Sequence, residues 1–159
     1  MGTLSAHFDL GDVTRSQEAV RRGVDNNLPI DLVATVRETV EMMERIRSFL
    51  SDKAGHQCPI TVSSWYRSLA LNRAIGSGDT SDHVKGCAVD FVAPSFGSPY
   101  SIAAALAPHV DALRIGQLIN EFPDSGNGWV HVSTRMPAKL VVNRIITIKR
   151  SGTHVGVIK

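Results

Sequence analysis

The stretch SDHVKGCAVD, residues 81–90, sets His83 seven residues ahead of Asp90, and Asp90 falls in the middle of the apolar run AVDFV. A carboxylate inside a strand that otherwise reads as buried needs a compensating charge, because an unpaired interior charge costs several kcal/mol. That charge is either a cation of the protein, Lys85 or Arg67, or a metal ion. A second histidine in apolar surroundings, His131, lies in WVHVST, and Glu121 closes the run GQLINE. Side chains alternate across a strand. Asp90 therefore shares a face with Ala88 and Val92, His131 with Trp129 and Ser133, and Glu121 with Gln117 and Ile119. If the three strands are neighbours, Asp90, His131 and Glu121 converge on one side of a sheet, and His83 folds over them from its loop. Two imidazoles and two carboxylates suit zinc, which in catalytic sites takes three protein ligands and keeps one position open. His83, Asp90 and His131 would be the ligands and Glu121 the general base, since zinc lowers the pKa of its water to about 7 and a nearby carboxylate can take the proton. Another first-row metal would accept the same donors. His7, His56, His109 and His154 have no such neighbourhood and read as surface or structural residues.

The elements that must position these residues follow from periodicity and punctuation. TRSQEAVRR over 14–22 predicts a short helix capped by Thr14 or Ser16 and stopped by Gly23. Residues 31–51 predict the clearest helix, with Leu32, Val36, Val40, Met43, Ile46 and Leu50 at three- and four-residue steps. Met42 and Met43 read as core. PITVSSWY (59–66), CAVDFVA, GQLINEF (116–122) and WVHVST (129–134) predict strands. A helix over 68–76 begins at Ser68, and another begins at Ser98-Pro99. A hairpin is expected from 140–149 and 153–158 around Ser151-Gly152. Helices first, then mixed strands and helices, predict one α+β domain with a mainly antiparallel sheet.

The 159 residues, 43% hydrophobic and 20% charged, suit one domain with a real core. A net charge of +2 without a basic block interleaved with aromatics argues against nucleic acid. No apolar run reaches the roughly 20 residues a membrane span needs, so no membrane insertion is expected. MGTLSAHFDL lacks the regions of a secretory signal, which predicts residence in the cytoplasm of the producing cell until the protein is released. Cys58 and Cys87 form no CxxC pair and read as reduced, small and buried.

Ser81-x-His83, Gly86-x-Ala88-x-Asp90 and Trp129-Val130-His131-Val132-Ser133 together resemble the zinc D-alanyl-D-alanine carboxypeptidase superfamily. That group includes the VanY and VanX types, phage L-alanyl-D-glutamate endopeptidases and the hedgehog signalling domain, and the chain is most similar to its small phage and prophage variant. Ser64-Trp65-Tyr66-Arg67-Ser68, with Asn72 beyond it, matches the segment that carries the family's arginine, with one residue inserted. The resemblance covers about residues 8–135. It implies a hedgehog-like α+β peptidase with zinc on His83, Asp90 and His131. It also implies that Arg67 polarises the scissile carbonyl or holds a substrate carboxylate, as its fork geometry allows. A salt bridge from Arg67 to Asp79 or Asp82 is the structural alternative. Ser81 would contact substrate or orient its loop, and Trp129 would wall the pocket or serve as core.

One position departs from the family. Many relatives carry the catalytic carboxylate three residues before the second histidine, where this chain has Gly128. Glu121 is the expected substitute, with Asp124 the alternative, although Asp124 in PDSGNG reads as a turn former. The expectation is a monomeric metallopeptidase acting on the stem peptides of bacterial peptidoglycan, as carboxypeptidase or endopeptidase, in the manner of a phage or prophage endolysin. A metal-binding structural or virion-associated protein of the same fold is the alternative.

Overall fold

The computed structural model describes residues 2–134 and 144–159. Among the described residues there are five α-helices: α1 (Leu10–Thr14), α2 (Gln17–Arg22), α3 (Val33–Ala54), α4 (Leu69–Ala74) and α5 (Pro99–Leu106). Six strands are formed as well: β1 (Thr61–Ser64), β2 (Ala88–Val92), β3 (Ile115–Glu121), β4 (Trp129–Thr134), β5 (Ile145–Lys149) and β6 (Gly152–Val155). The strands make one sheet in the order β1-β2-β4-β3-β5-β6. All pairings are antiparallel except β3 with β5. The architecture is therefore α+β with a mostly antiparallel sheet, as expected from the order of elements.

Alternation along the strands gives the sheet two different faces. Val89 and Phe91 of β2, Leu118 of β3, and Val130 and Val132 of β4 enter the hydrophobic core with Val36, Val40, Met42, Met43, Ile46 and Leu50 of α3 and Ile102 and Leu106 of α5. Each such side chain contributes roughly 1.5–3 kcal/mol on burial, so this layer holds the sheet flat against the helices and leaves the opposite face for Asp90, His131 and Glu121. Both cysteines are buried and unbridged.

Several boundaries differ from expectation for local reasons. The helix expected over 14–22 is two helices broken at Arg15, which is extended (ψ 125°). Ser16, not Thr14, caps α2 by accepting from Ala19 N–H. Helix α1 is held by a reciprocal cap in which Asp9 and Asp12 each accept the other's backbone N–H. The long helix begins after a 3-10 turn at Ile30–Leu32 and runs to Ala54, where Gly55 (φ 72°) ends it. The final hairpin forms as β5 and β6; the part of that expected strand over 140–143 lies outside the described residues.

The loop between α4 and β2 carries His83 and is bent by Gly86 at φ 72°, a conformation that suits glycine. The Gly86 carbonyl accepts from Thr39 Oγ1 of α3 (3.2 Å) and from Trp65 Nε1 (3.1 Å), which ties the loop to the core. A Cβ at Gly86 would lie 2.9 Å from Val36 Cγ2. Gly86→Ala is expected to cost roughly 2–4 kcal/mol, left-handed strain and overpacking together, as read by denaturant unfolding.

Candidate metal centre and active-site cavity

β2 and β4 are paired with Asp90 opposite His131, and β4 and β3 with Glu121 opposite Trp129. Asp90, His131 and Glu121 thus reach the same side of the sheet, and the loop before β2 brings His83 onto it. Asp90 Oδ1 lies 2.7 Å from His131 Nδ1, and Oδ2 lies 3.3 Å from His83 Nε2. One ligand atom from each of the three lies within 4.8 Å of the others, and all three residues are buried.

The tautomer of His83 follows from its other nitrogen. Nδ1 is 2.6 Å from the Trp65 carbonyl oxygen, which can only accept, so Nδ1 carries the proton. Burial pushes the His83 pKa down against the opposing pull of Asp90, which favours the neutral ring. Nε2 therefore presents a lone pair to Asp90. Burial alone would raise the Asp90 pKa, but the hydrogen bond from His131 and the neighbouring imidazoles outweigh it and hold the carboxyl well below the usual range. A lone pair facing an anionic oxygen at 3.3 Å is repulsive unless a cation lies between them. The donor set therefore fits a metal ion such as zinc.

Arg67 stands behind Asp90. Its Nη2 donates to Asp90 Oδ2 (3.1 Å), its Nε to Ser64 Oγ (3.0 Å) and its Nη1 reaches Asn72 Oδ1 (3.4 Å). Asp79 pairs with Arg73 and Asp82 with Lys85, and the carboxylate in ion-pair contact with Arg67 is that of Asp90. The protein cation and the metal are not rivals for Asp90, since a carboxylate has about four lone-pair sites. The Arg67 backbone N–H also donates to the His83 carbonyl (3.2 Å), so the 65–67 segment grips the histidine loop at ring and backbone.

Ser81 Oγ accepts from His83 N–H at 3.4 Å, within the turn that presents the histidine. Glu121 is partly buried. Burial, with the Asp90 charge, raises its pKa, while His131, Arg67 and the Trp129 indole pull it down by lesser amounts. Trp129 packs on Phe122 with ring centroids 5.5 Å apart, and its buried indole nitrogen makes no close hydrogen bond among the described residues. His83, Asp90, His131, Glu121, Arg67, Ser81 and Trp129 all line one cavity of about 830 Å³. Asp124 is exposed in the turn and lies outside that lining. The remaining histidines sit apart: His7 pairs with Glu44, His56 bonds two backbone carbonyls, His109 packs on Phe49, and His154 meets Ser151.

Two contributors were not legible from residue types. The Trp65 carbonyl that fixes the His83 tautomer is backbone, and carries no sequence signal. α1 and the α1–α2 connection, through Asp12 and Arg15, form a wall of the cavity; α1 itself has the Asp9-x-x-Asp12 cap as its local mark.

The family model for peptidase M15 matches residues 6–133, most of the chain and every residue of this site. The chain belongs to peptidase family M15. Peptidases of family M15 are zinc-dependent metallopeptidases, and the His83-Asp90-His131 cluster is a site that could hold such an ion. No curated protein matches the chain. This M15 chain also has a physical reason for glycine at 128. A Cβ there would lie 2.4 Å from the Phe122 carbonyl oxygen and 2.6 Å from that of Glu121, so no side chain fits without moving the end of β3. Gly128→Asp is expected to displace the end of β3, and Glu121 with it, and to destabilise the fold by roughly 1–3 kcal/mol through overpacking. Melting curves of the variant check this.

Proposed function

We propose that the chain is a zinc peptidase that cleaves the peptide stems of bacterial peptidoglycan, with His83, Asp90 and His131 as ligands and Glu121 as general base. The observation that carries this reading is the convergence of His83, Asp90 and His131, with one ligand atom of each within 4.8 Å of the others, and Glu121 on the same cavity wall. A zinc ion held there would act as a Lewis acid on the scissile carbonyl and acidify water. Glu121, its pKa raised by burial, takes a proton from the attacking water and returns it to the leaving amine. Arg67 fixes the Asp90 carboxylate and adds positive charge on the side of the cavity where the carbonyl oxygen becomes negative. Trp129 walls the cavity beside Glu121, and Ser81 orients the His83 loop next to bound substrate.

The hedgehog-like form of the fold, a monomeric state and an endolysin role, with release to the cell wall after a holin opens the membrane, belong to the same proposal. Among the described residues no helix is long and apolar enough to cross a membrane, which is compatible with it. The test is release of new amino groups from purified peptidoglycan. Release is expected with zinc, is abolished by a chelator and returns with added zinc. Absence of release from protein that holds its metal would favour the structural or virion-associated reading instead.

A further inference from the structure

The cavity is much larger than the metal cluster requires. It runs from Trp129 and Glu121 across the ligands and β1 to the α1–α2 connection, and its 830 Å³ lies toward the upper end for ligand sites, which span about 300–1,000 Å³. Three arginines line it: Arg15, Arg21 and Arg67. Arg67 is committed to Asp90, Ser64 and Asn72, and Arg21 to Glu18. Arg15 is exposed and makes no ion pair or side-chain hydrogen bond among the described residues. The carboxylates on the same wall are already engaged, Asp12 by the Asp9 N–H and Glu18 by Arg21 and Arg22.

The mounting of Arg15 is rigid although its side chain is free. Its N–H donates to the Gly11 carbonyl (2.9 Å). Asn26, buried, bonds the Thr14 and Tyr66 carbonyls through Nδ2 and accepts from Ser68 N–H. Tyr66 N–H donates to the Val13 carbonyl (3.0 Å). The residues before Arg15 are thus bonded to those flanking Arg67, so the Arg15 backbone is fixed relative to the segment that carries Arg67 and grips the His83 loop. Gly11 leaves room for the Arg15 side chain and for the Asp9 cap, since a Cβ there would lie 2.8 Å from Asp9 Oδ1 and 3.2 Å from Arg15 Nη2.

We infer that Arg15 is a specificity-determining residue that binds a carboxylate of the substrate at the end of the cavity formed by the α1–α2 connection. The inference rests on the peptidase reading above and adds the class of group recognised: an anionic stem peptide, gripped away from the bond that is cut. Guanidinium and carboxylate match as a two-bond fork. The carboxylate comes either from the end of the peptide or from an acidic residue within it.

The test compares metal-loaded wild type, Arg15→Ala and Arg15→Lys on a synthetic stem peptide with all carboxylates free, and on versions amidated at the chain end or at the internal acid. Arg15→Ala is expected to raise KM about tenfold on the free peptide and to leave kcat within about twofold, the pattern of lost ground-state binding. Arg15→Lys is expected to fall between. Amidation of the recognised carboxylate is expected to raise the wild-type KM equally and to erase the difference between wild type and Arg15→Ala, which also names the source of the carboxylate. Unchanged metal content and melting temperature accompany these effects, because Arg15 is exposed. Wild-type KM in Arg15→Ala, or an equal loss on every peptide, would overturn the inference and leave the peptidase reading standing. Failure of metal-loaded wild type to cleave any of the peptides would overturn both.

Discussion

Replacing Asp90 with alanine is expected to abolish metal binding and to destabilise the metal-free protein by roughly 3–5 kcal/mol, the cost of breaking a buried pair and leaving its partner charge behind. The Arg67 side chain is only 15% exposed, and its Nη2 would lose its anionic acceptor. His131 would lose the partner of Nδ1, and the group facing His83 Nε2 would vanish. Zinc affinity should fall by well over about 100-fold, since loss of an outer-shell partner alone typically costs about 10–100-fold. The comparison is a pair of melting curves, with and without zinc. Wild type should gain stability with zinc through binding linkage, and Asp90→Ala should start lower and gain nothing. A zinc-dependent rise in the variant equal to that of wild type would remove Asp90 from the ligand set.

Glu121→Gln is expected to reduce turnover by about 10²–10⁴-fold, the range typical of general acid–base catalysis, while metal content stays unchanged. The amide keeps the shape of the side chain beside Trp129 but cannot accept and return a proton. The same variant carries an opposite effect on stability. Glu121 has a raised pKa in the fold, chiefly from burial, so the unfolded chain loses this proton at lower pH than the folded one does. Ionisation of Glu121 therefore opposes folding as pH rises above the ordinary carboxylate range, and below that range the penalty is absent. Metal-free Glu121→Gln should melt above wild type near neutral pH, and the gap should close as pH falls to values at which both states are protonated. A gap that widened with falling pH would contradict the environment assigned to Glu121.

How far the sequence carries this account depends on the kind of residue. Period-two alternation showed which neighbours each of Asp90, His131 and Glu121 shares a face with, and made their convergence depend on adjacency of the strands, which the order β2-β4-β3 supplies. The three strands are short and bounded by turn formers, which is why their limits were legible. The α3 stripe was legible for the same reason at the helical period. α1 was not: five residues with a glycine show no apolar repeat, and only the reciprocal Asp9–Asp12 cap marks them. The choice between a protein cation and a metal for Asp90 could not be made from types and spacing, because its two oxygens meet both the Arg67 guanidinium and the two histidines that could hold a metal with it. Nor could the reason for Gly128, which is the approach of two backbone carbonyls from the preceding strand end. Contacts made through backbone atoms, like that of Trp65 with His83, depend on the path of the chain and leave no mark on residue identity.

The most direct test of the central claim joins chemistry to metal in one sample. Purified peptidoglycan is digested by wild type and by Glu121→Gln, soluble products are identified by mass spectrometry, and zinc is measured in the same protein. One zinc per chain in both proteins, with stem-peptide products from wild type alone, is the predicted result. It would also name the bond that is cut. Zinc in both with products from neither would contradict the assignment of a peptidoglycan peptidase, and equal products from both would contradict the role of Glu121.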